Sequence, residues 1–259
     1  MPSVQQLLIR TPFALLLIGA GTWGMLAIWF QSSLPEDTRS MLAAACLLAL
    51  CLAAGSVILK SKRRFTLPLA YLSLLSVASW WTNIQPSDYR DWAPEVAKRA
   101  TISISEEDIE VRNVRNFAWR GDRATLRRWE TRTYRTSDLT SVDLIVAKDL
   151  GAMPSQSFAS FGFGDGRRLA FAVEARIERN ERFHWLHGLF RQYELTLVAA
   201  DEADVVRHRS EALGEEVFRY RLDLRPAQVR QLFEKYSEFA RGLDREPRFY
   251  NSLTSRVAT

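Results

Sequence analysis

Few side chains able to do chemistry occur in this chain of 259 residues, and most fall in its second half. His184 and His187 form a His-x-x-His pair, a spacing that can bind a metal on a helix when a third ligand is near. Arg182, Phe183 and Trp185 surround them and no acid stands in helical register, so a surface loop is the expected setting. His208 lies in Arg207-His208-Arg209 and is expected to be solvated. Asp201, Glu202 and Asp204 could form a carboxylate site. They follow the end of a strand pattern and are expected to face water. Ser160 has no histidine close in sequence to make a Ser-His pair, and a turn role is expected. Glu174 and Arg176 share one strand face among small residues, either lining a pocket for a polar ligand or pairing with each other or with Glu194. Gly162-x-Gly164-x-Gly166 lacks the spacing and context of a dinucleotide fingerprint. No metal site and no cofactor are expected.

The two cysteines, Cys46 and Cys51, lie inside an apolar run and read as small packing residues on different helix faces. Residues 85–259 contain no cysteine, which excludes a disulfide scaffold and a zinc-thiolate site there.

Three apolar runs precede that region: residues 11–30, 41–59 and 65–84. A hydrocarbon core of ~30 Å needs ~20 helical residues. The first two runs meet that length. The third is shorter in apolar content, holds Pro68, Ser73, Ser76 and Ser79, and ends in Trp80-Trp81, as an aromatic belt would. Lys60, Lys62, Arg63 and Arg64 lie between the second and third runs, while the loop between the first two holds only Arg39, offset by Glu36 and Asp37. Basic loops stay cytoplasmic. Three spans then place everything beyond about residue 85 outside.

The pI near 9.4 suggests a nucleic-acid binder until the charge is partitioned. Residues 1–84 carry a net +4 and residues 85–259 a net +1. The excess sits on the anchor, where it meets anionic lipid headgroups. The outer domain has no basic stripe interleaved with aromatics, and nucleic acid is not an expected partner.

The outer region is large enough for its own core. Ile102, Ile104, Ile109 and Val111 alternate with polar residues. Ser157–Phe163 and Leu169–Ile177 form two strand patterns joined by Gly164-Asp165-Gly166, a hairpin signal. Glu194–Ala199 and Val217–Leu224 are further strands. Pro226 opens a helix whose stripe is Val229, Leu232, Phe233, Tyr236, Ala240 and Leu243. The fold class is α+β: an antiparallel sheet with packed helices, preceded by three transmembrane helices.

A set of strings then occurs in order: Asn113-Val-Arg-Asn-Phe117, Trp129-Glu-Thr-Arg-Thr-Tyr134, Ser160-Phe-Gly-Phe163 with Asp165-Gly166, Val173-Glu-Ala-Arg176, Gly188-Leu-Phe-Arg-Gln-Tyr-Glu194, Asp201-Glu202 and Pro247-Arg-Phe-Tyr-Asn-Ser-Leu-Thr254. Over about residues 90 to 255 the chain resembles the Lnb N-terminal periplasmic domain family of bacterial envelope proteins. The resemblance implies kinship with papain-like cysteine hydrolases. Relatives commonly carry Asn-Cys just after the Tyr-Asn-x-Leu-Thr string, and a histidine shortly before Ser-Phe-Gly-Phe. A cysteine at a helix N-terminus with an imidazole nearby is an activated nucleophile. Here Val257 stands at the cysteine position and Gln156 at the histidine position, and the chain reads as truncated after them. Neither side chain can supply a thiolate or a titrating base.

The combined expectation is a multi-pass protein of the bacterial inner membrane, with residues 1–84 as anchor and 85–259 as a periplasmic domain. Its expected role is a non-catalytic binding or assembly module. The alternative is a truncated or degenerate cysteine amidase, peptidase or acyltransferase acting on envelope substrates. Expected partners are membrane lipids and either envelope proteins or peptidoglycan. No residue is assigned as catalytic, and a pocket, if there is one, is expected from Gln156, Ser160, Glu174, Arg176, Glu194 and Asn251.

Overall fold

A computed structural model describes residues 4–59, 62–87, 89–121, 123–148 and 156–255, in two compact units divided after residue 85. In the first unit the uncharged runs become helices α1 (Val4–Gln31), α2 (Glu36–Leu59) and α3 (Arg63–Asn83). Small residues let α1 and α2 approach closely. A Cβ on Gly21 would lie 2.7 Å from the Leu50 Cβ, and one on Gly24 would lie 2.9 Å from the Cys46 Sγ. Cys46 is thus buried packing, while Cys51 is exposed on another face. α3 is tied to its neighbours by Trp81, edge-on to Trp23 at 5.3 Å, and by Thr66, whose hydroxyl donates to Ser56 Oγ at 2.6 Å.

Two of these helices, Arg10–Gln31 and Glu36–Leu59, are long and apolar enough to cross a membrane. Of the three expected spans, these two meet the measure by length and composition, and α3 falls below it. The third is a helix of 21 residues, but Pro68, Tyr71 and its serines dilute its apolar character. In the basic connection, Lys62 takes a left-handed conformation (φ 53°) just before α3, while Lys60 lies outside the described residues.

The second unit is α+β. Its strands are β1 (Thr101–Ile104), β2 (Asp108–Arg115), β3 (Ala118–Arg120), β4 (Arg123–Leu126), β5 (Trp129–Arg135), β6 (Leu139–Lys148), β7 (Gln156–Phe163), β8 (Arg168–Arg176), β9 (Glu194–Asp201) and β10 (Glu216–Arg221). Helices α4 (Trp185–Leu189), α5 (Glu202–Arg207) and α6 (Pro226–Arg245) complete it. The main sheet runs β1-β2-β9-β8-β7-β6-β10, with β5 on the other edge of β2, and β3 pairs only with β4. The sheet is mixed, which corrects the antiparallel expectation: β2 and β9 run parallel through Val114 and Ala199. A bulge between Val111 and Val114, with Asn113 at φ 59°, lets one edge of β2 pair first with β1 and then with β9.

Period-two alternation sorts the strand residues onto two faces. One face puts Val142, Phe161, Phe163, Leu169, Phe171 and Leu197 into a core closed by Val229, Phe233, Ala240 and Leu243 of α6. The Phe233 ring stands edge-on to Phe161 at 5.0 Å and to Phe171 at 5.5 Å. The other face has a smaller apolar core of Ile145, Phe158, Ala172 and Val198, covered in part by Val96 and Val205. Around that smaller core the same face carries the buried charge.

Candidate functional site

Strand parity brings Gln156, Ser160, Glu174, Arg176 and Glu194 onto this second face, but they divide into separate ion-pair groups and do not line one pocket. The first group gathers around the middle of β6. Asp143 is almost fully buried in a strand whose neighbours are apolar, and three arginines converge on it: Arg168 at 2.5 Å, Arg219 at 2.6 Å and Arg221 at 3.1 Å. Burial acts to raise its carboxyl, but the hydrogen bond from Arg219 and the charges of Arg168 and Arg219 hold it below the usual range. Ser160, opposite Asp143 on β7, is completely buried and donates its hydroxyl to Glu202. Ser160 is therefore a strand residue and not a turn residue, as Asp143 and Ala170 on either side fix it within the sheet. Glu202 also receives Arg168 Nε at 2.5 Å and Arg219 at 3.4 Å. A serine beside a carboxylate resembles a nucleophile with its base, yet this hydroxyl is sealed from solvent and the carboxylate is spent on arginines.

The second group lies at the start of β7. Gln156 donates its amide to Glu174 at 3.1 Å and accepts from Arg209. Arg209 pairs further with Glu174 at 3.6 Å and Glu215 at 3.4 Å, and covers the Phe158 ring. Glu174 thus pairs with Arg209 and Gln156 rather than with Arg176. Arg176 donates to the Val96 carbonyl at 3.1 Å and to Ala97 at 2.6 Å, and lies 3.9 Å from Glu194. Glu194 is fully buried and accepts from Ser87 N at 2.5 Å and Arg99 at 3.1 Å. Burial pushes its carboxyl up, against the Ser87 hydrogen bond and the charges of Arg99 and Arg176.

Asn251 stands apart from these groups. Its side-chain oxygen accepts from Leu253 N at 2.9 Å and Thr254 N at 3.2 Å, so it caps the turn that follows. That turn is seated against α4, where Ser252 Oγ donates to the Trp185 carbonyl at 2.6 Å and fills the space a Cβ on Gly188 would need. Val257 lies outside the described residues.

The histidines are placed differently from expectation. His184 caps the one-turn helix α4, accepting from Leu186 N at 3.3 Å, and His187 contacts the Tyr193 hydroxyl at 3.2 Å. Burial and the neighbouring His184 push His187 down. His208 is half-buried and not freely solvated. It opens a π-helical turn (His208–Ala212) and stacks on Trp119 at 4.1 Å. Burial, with Arg115 and Arg209 nearby, lowers its pKa to about 3. Asp204 does not face water either. It is buried and accepts from Arg115 Nε at 3.0 Å, Phe117 N at 2.9 Å and Trp119 Nε1 at 2.7 Å. These donors lie on a distant segment, β2 and the hairpin after it, which local sequence could not reveal. Asp201 caps α5 through Ala203 N and pairs with Arg132 at 2.8 Å. Among the described residues no three His, Cys, Asp or Glu side chains are grouped to hold a metal ion.

Two apolar helices long enough to cross a membrane, followed by an α+β unit whose buried polar residues are set in ion pairs, are the architecture of this chain. The chain belongs to the Lnb N-terminal periplasmic domain family, whose sequence model matches residues 125–257. The match begins later than residue 90, so the Asn113–Phe117 string lies outside it. No curated protein and no solved structure matches the chain.

Proposed function

We propose that this chain is a multi-pass inner-membrane protein whose periplasmic domain binds or organises envelope components without catalysis. The observation that carries this reading is Gln156. At the position where the resemblance places a histidine, the amide is held between Glu174 and Arg209, and residues 85–259 offer no cysteine for it to serve. An amide does not titrate near neutral pH, so it cannot act as a general base. Orientation in this proposal follows from Lys60, Lys62, Arg63 and Arg64 on the cytoplasmic side, with α3 as the last crossing. Candidate ligands are envelope proteins or peptidoglycan, in addition to the lipids around the anchor.

The test uses the full chain in nanodiscs. It is incubated with peptidoglycan fragments and with ester and amide substrates, and products are read by mass spectrometry. In parallel, crosslinking in native membranes captures partners. The expected result is captured envelope components with no turnover. Turnover that disappears in Ser160→Ala or Glu174→Ala, with folding intact, overturns the non-catalytic reading.

A further inference from the structure

Between α1 and α2 lies an open groove of about 580 Å³. Met25, Trp29 and Phe30 of α1 and Ala44, Leu47 and Cys51 of α2 line it. Its size falls within the ~300–1,000 Å³ of small-molecule sites. Its walls are apolar, so they select a hydrocarbon. Ser40 is its polar lining residue, and beside the lining Trp29 the Arg39 guanidinium carbon sits 4.8 Å from the ring centroid. Arg39 Nε is buried with no hydrogen-bond partner among the described residues. A buried charged donor left unfilled is costly, and an oxyanion is its natural partner. Two carboxylates, Glu36 and Asp37, stand exposed in the same first turn of α2. A purely anionic headgroup would meet these carboxylates without compensation. A headgroup with both phosphate and ammonium meets each with its opposite.

We propose that the α1–α2 groove holds an acyl chain of a zwitterionic aminophospholipid, with its phosphate on Arg39 and its ammonium toward Glu36 and Asp37. This rests on the reading of α1 and α2 as membrane helices, though not on which leaflet receives their connecting loop. Annular lipid would touch the same walls, but it would not depend on one arginine or distinguish headgroups. The groove would then hold a bound lipid as part of the anchor.

The experiment is native mass spectrometry of the full chain released from nanodiscs containing equal phosphatidylethanolamine and phosphatidylglycerol. The expected result is retained phosphatidylethanolamine in preference to phosphatidylglycerol. Arg39→Gln should lower retention about tenfold, and Ala44→Trp, which fills the groove from an exposed position, should abolish it. Glu36→Gln with Asp37→Asn should shift the preference toward phosphatidylglycerol. Retention blind to headgroup and to both groove variants overturns the site. Cys51–Cys51 crosslinks in membranes with no lipid retained also overturn it, in favour of a second copy of this chain. Release by carbonate extraction would overturn the anchor reading, and the site with it. Firm membrane retention with indiscriminate lipid overturns the site alone.

Discussion

At the scale of single residues, the domain hides charge by giving each buried group several partners. Asp204 satisfies three donors at once, and Asp143 receives three arginines. His208 is the exception, because it is half-buried against Trp119 beside two cations, with its pKa near 3. An unfolded histidine takes its proton near ~6.5. Below that pH the unfolded chain binds more protons than the folded one, so stability falls as pH falls, and the loss ends only near pH 3, where the folded ring protonates too. The slope from this one group is at most ~1.4 kcal/mol per pH unit. Urea unfolding followed by tryptophan fluorescence between pH 7 and 4 should show that slope, and His208→Phe, which keeps a ring on Trp119, should flatten it. An unchanged slope would mean that His208 is protonated in the fold. Sequence gave little warning of this residue. Its neighbours Arg207 and Arg209 suggested solvent, while the ring that covers it comes from β3. Asp143 did carry a signal, since a lone acid among Val142, Leu144 and Ile145 must be either paired or misplaced. Its three partners, on β8 and β10, were not readable locally. For the same reason the sequence put only Glu174 and Arg176 on one strand face, and the separate ion-pair groups of Gln156, Ser160 and Glu194 were not readable.

At the scale of elements, what was legible was whatever depended on period. The β7–β8 hairpin with its glycine turn and the α6 stripe opening at Pro226 both follow from alternation or helical spacing. What was not legible depended on partners: the parallel β2–β9 pairing, the Asn113 bulge and the separate β3–β4 hairpin. Alternation tells a strand which residues face inward, not which way its neighbour runs. The α6 stripe also shows which contact dominates the larger core. Phe233 is almost fully buried and meets Phe161, Phe163 and Phe171 edge-on. Phe233→Ala should cost ~3–5 kcal/mol, from lost transfer energy plus the cavity left behind. The same urea experiment at pH 7 reads it as a lowered midpoint with unchanged slope. A loss under 1 kcal/mol would mean that α6 collapses into the space and is not the rigid lid its aromatic contacts describe.

At the scale of the whole molecule, the side of the membrane on which the family domain lies turns on α3. Two crossings return the chain to the side where it started, and a third takes it across. Under the orientation proposed here, Lys60, Lys62, Arg63 and Arg64 stay inside, and α3 must carry residues beyond 85 to the periplasm. Yet α3 has the least apolar margin of the three helices, since Pro68, Tyr71 and several serines lie within it. A single charge near its centre should therefore be decisive. Lysine at the middle of a spanning helix costs ~2.5–3.5 kcal/mol on the insertion scale. Leu74→Lys should leave a substantial fraction of chains with the domain in the cytoplasm, whereas Leu48→Lys, in the strongly apolar α2 and on an exposed position, should leave more chains correctly inserted. Protease added to spheroplasts reads both: digestion beyond residue 85 in the parent chain, partial protection in Leu74→Lys, and less protection in Leu48→Lys. Protection of the parent chain would reverse the proposed orientation. Complete digestion of Leu74→Lys would show that insertion of α3 is held by its neighbours, through contacts such as Trp23–Trp81 and Ser56–Thr66, and not by its own hydropathy.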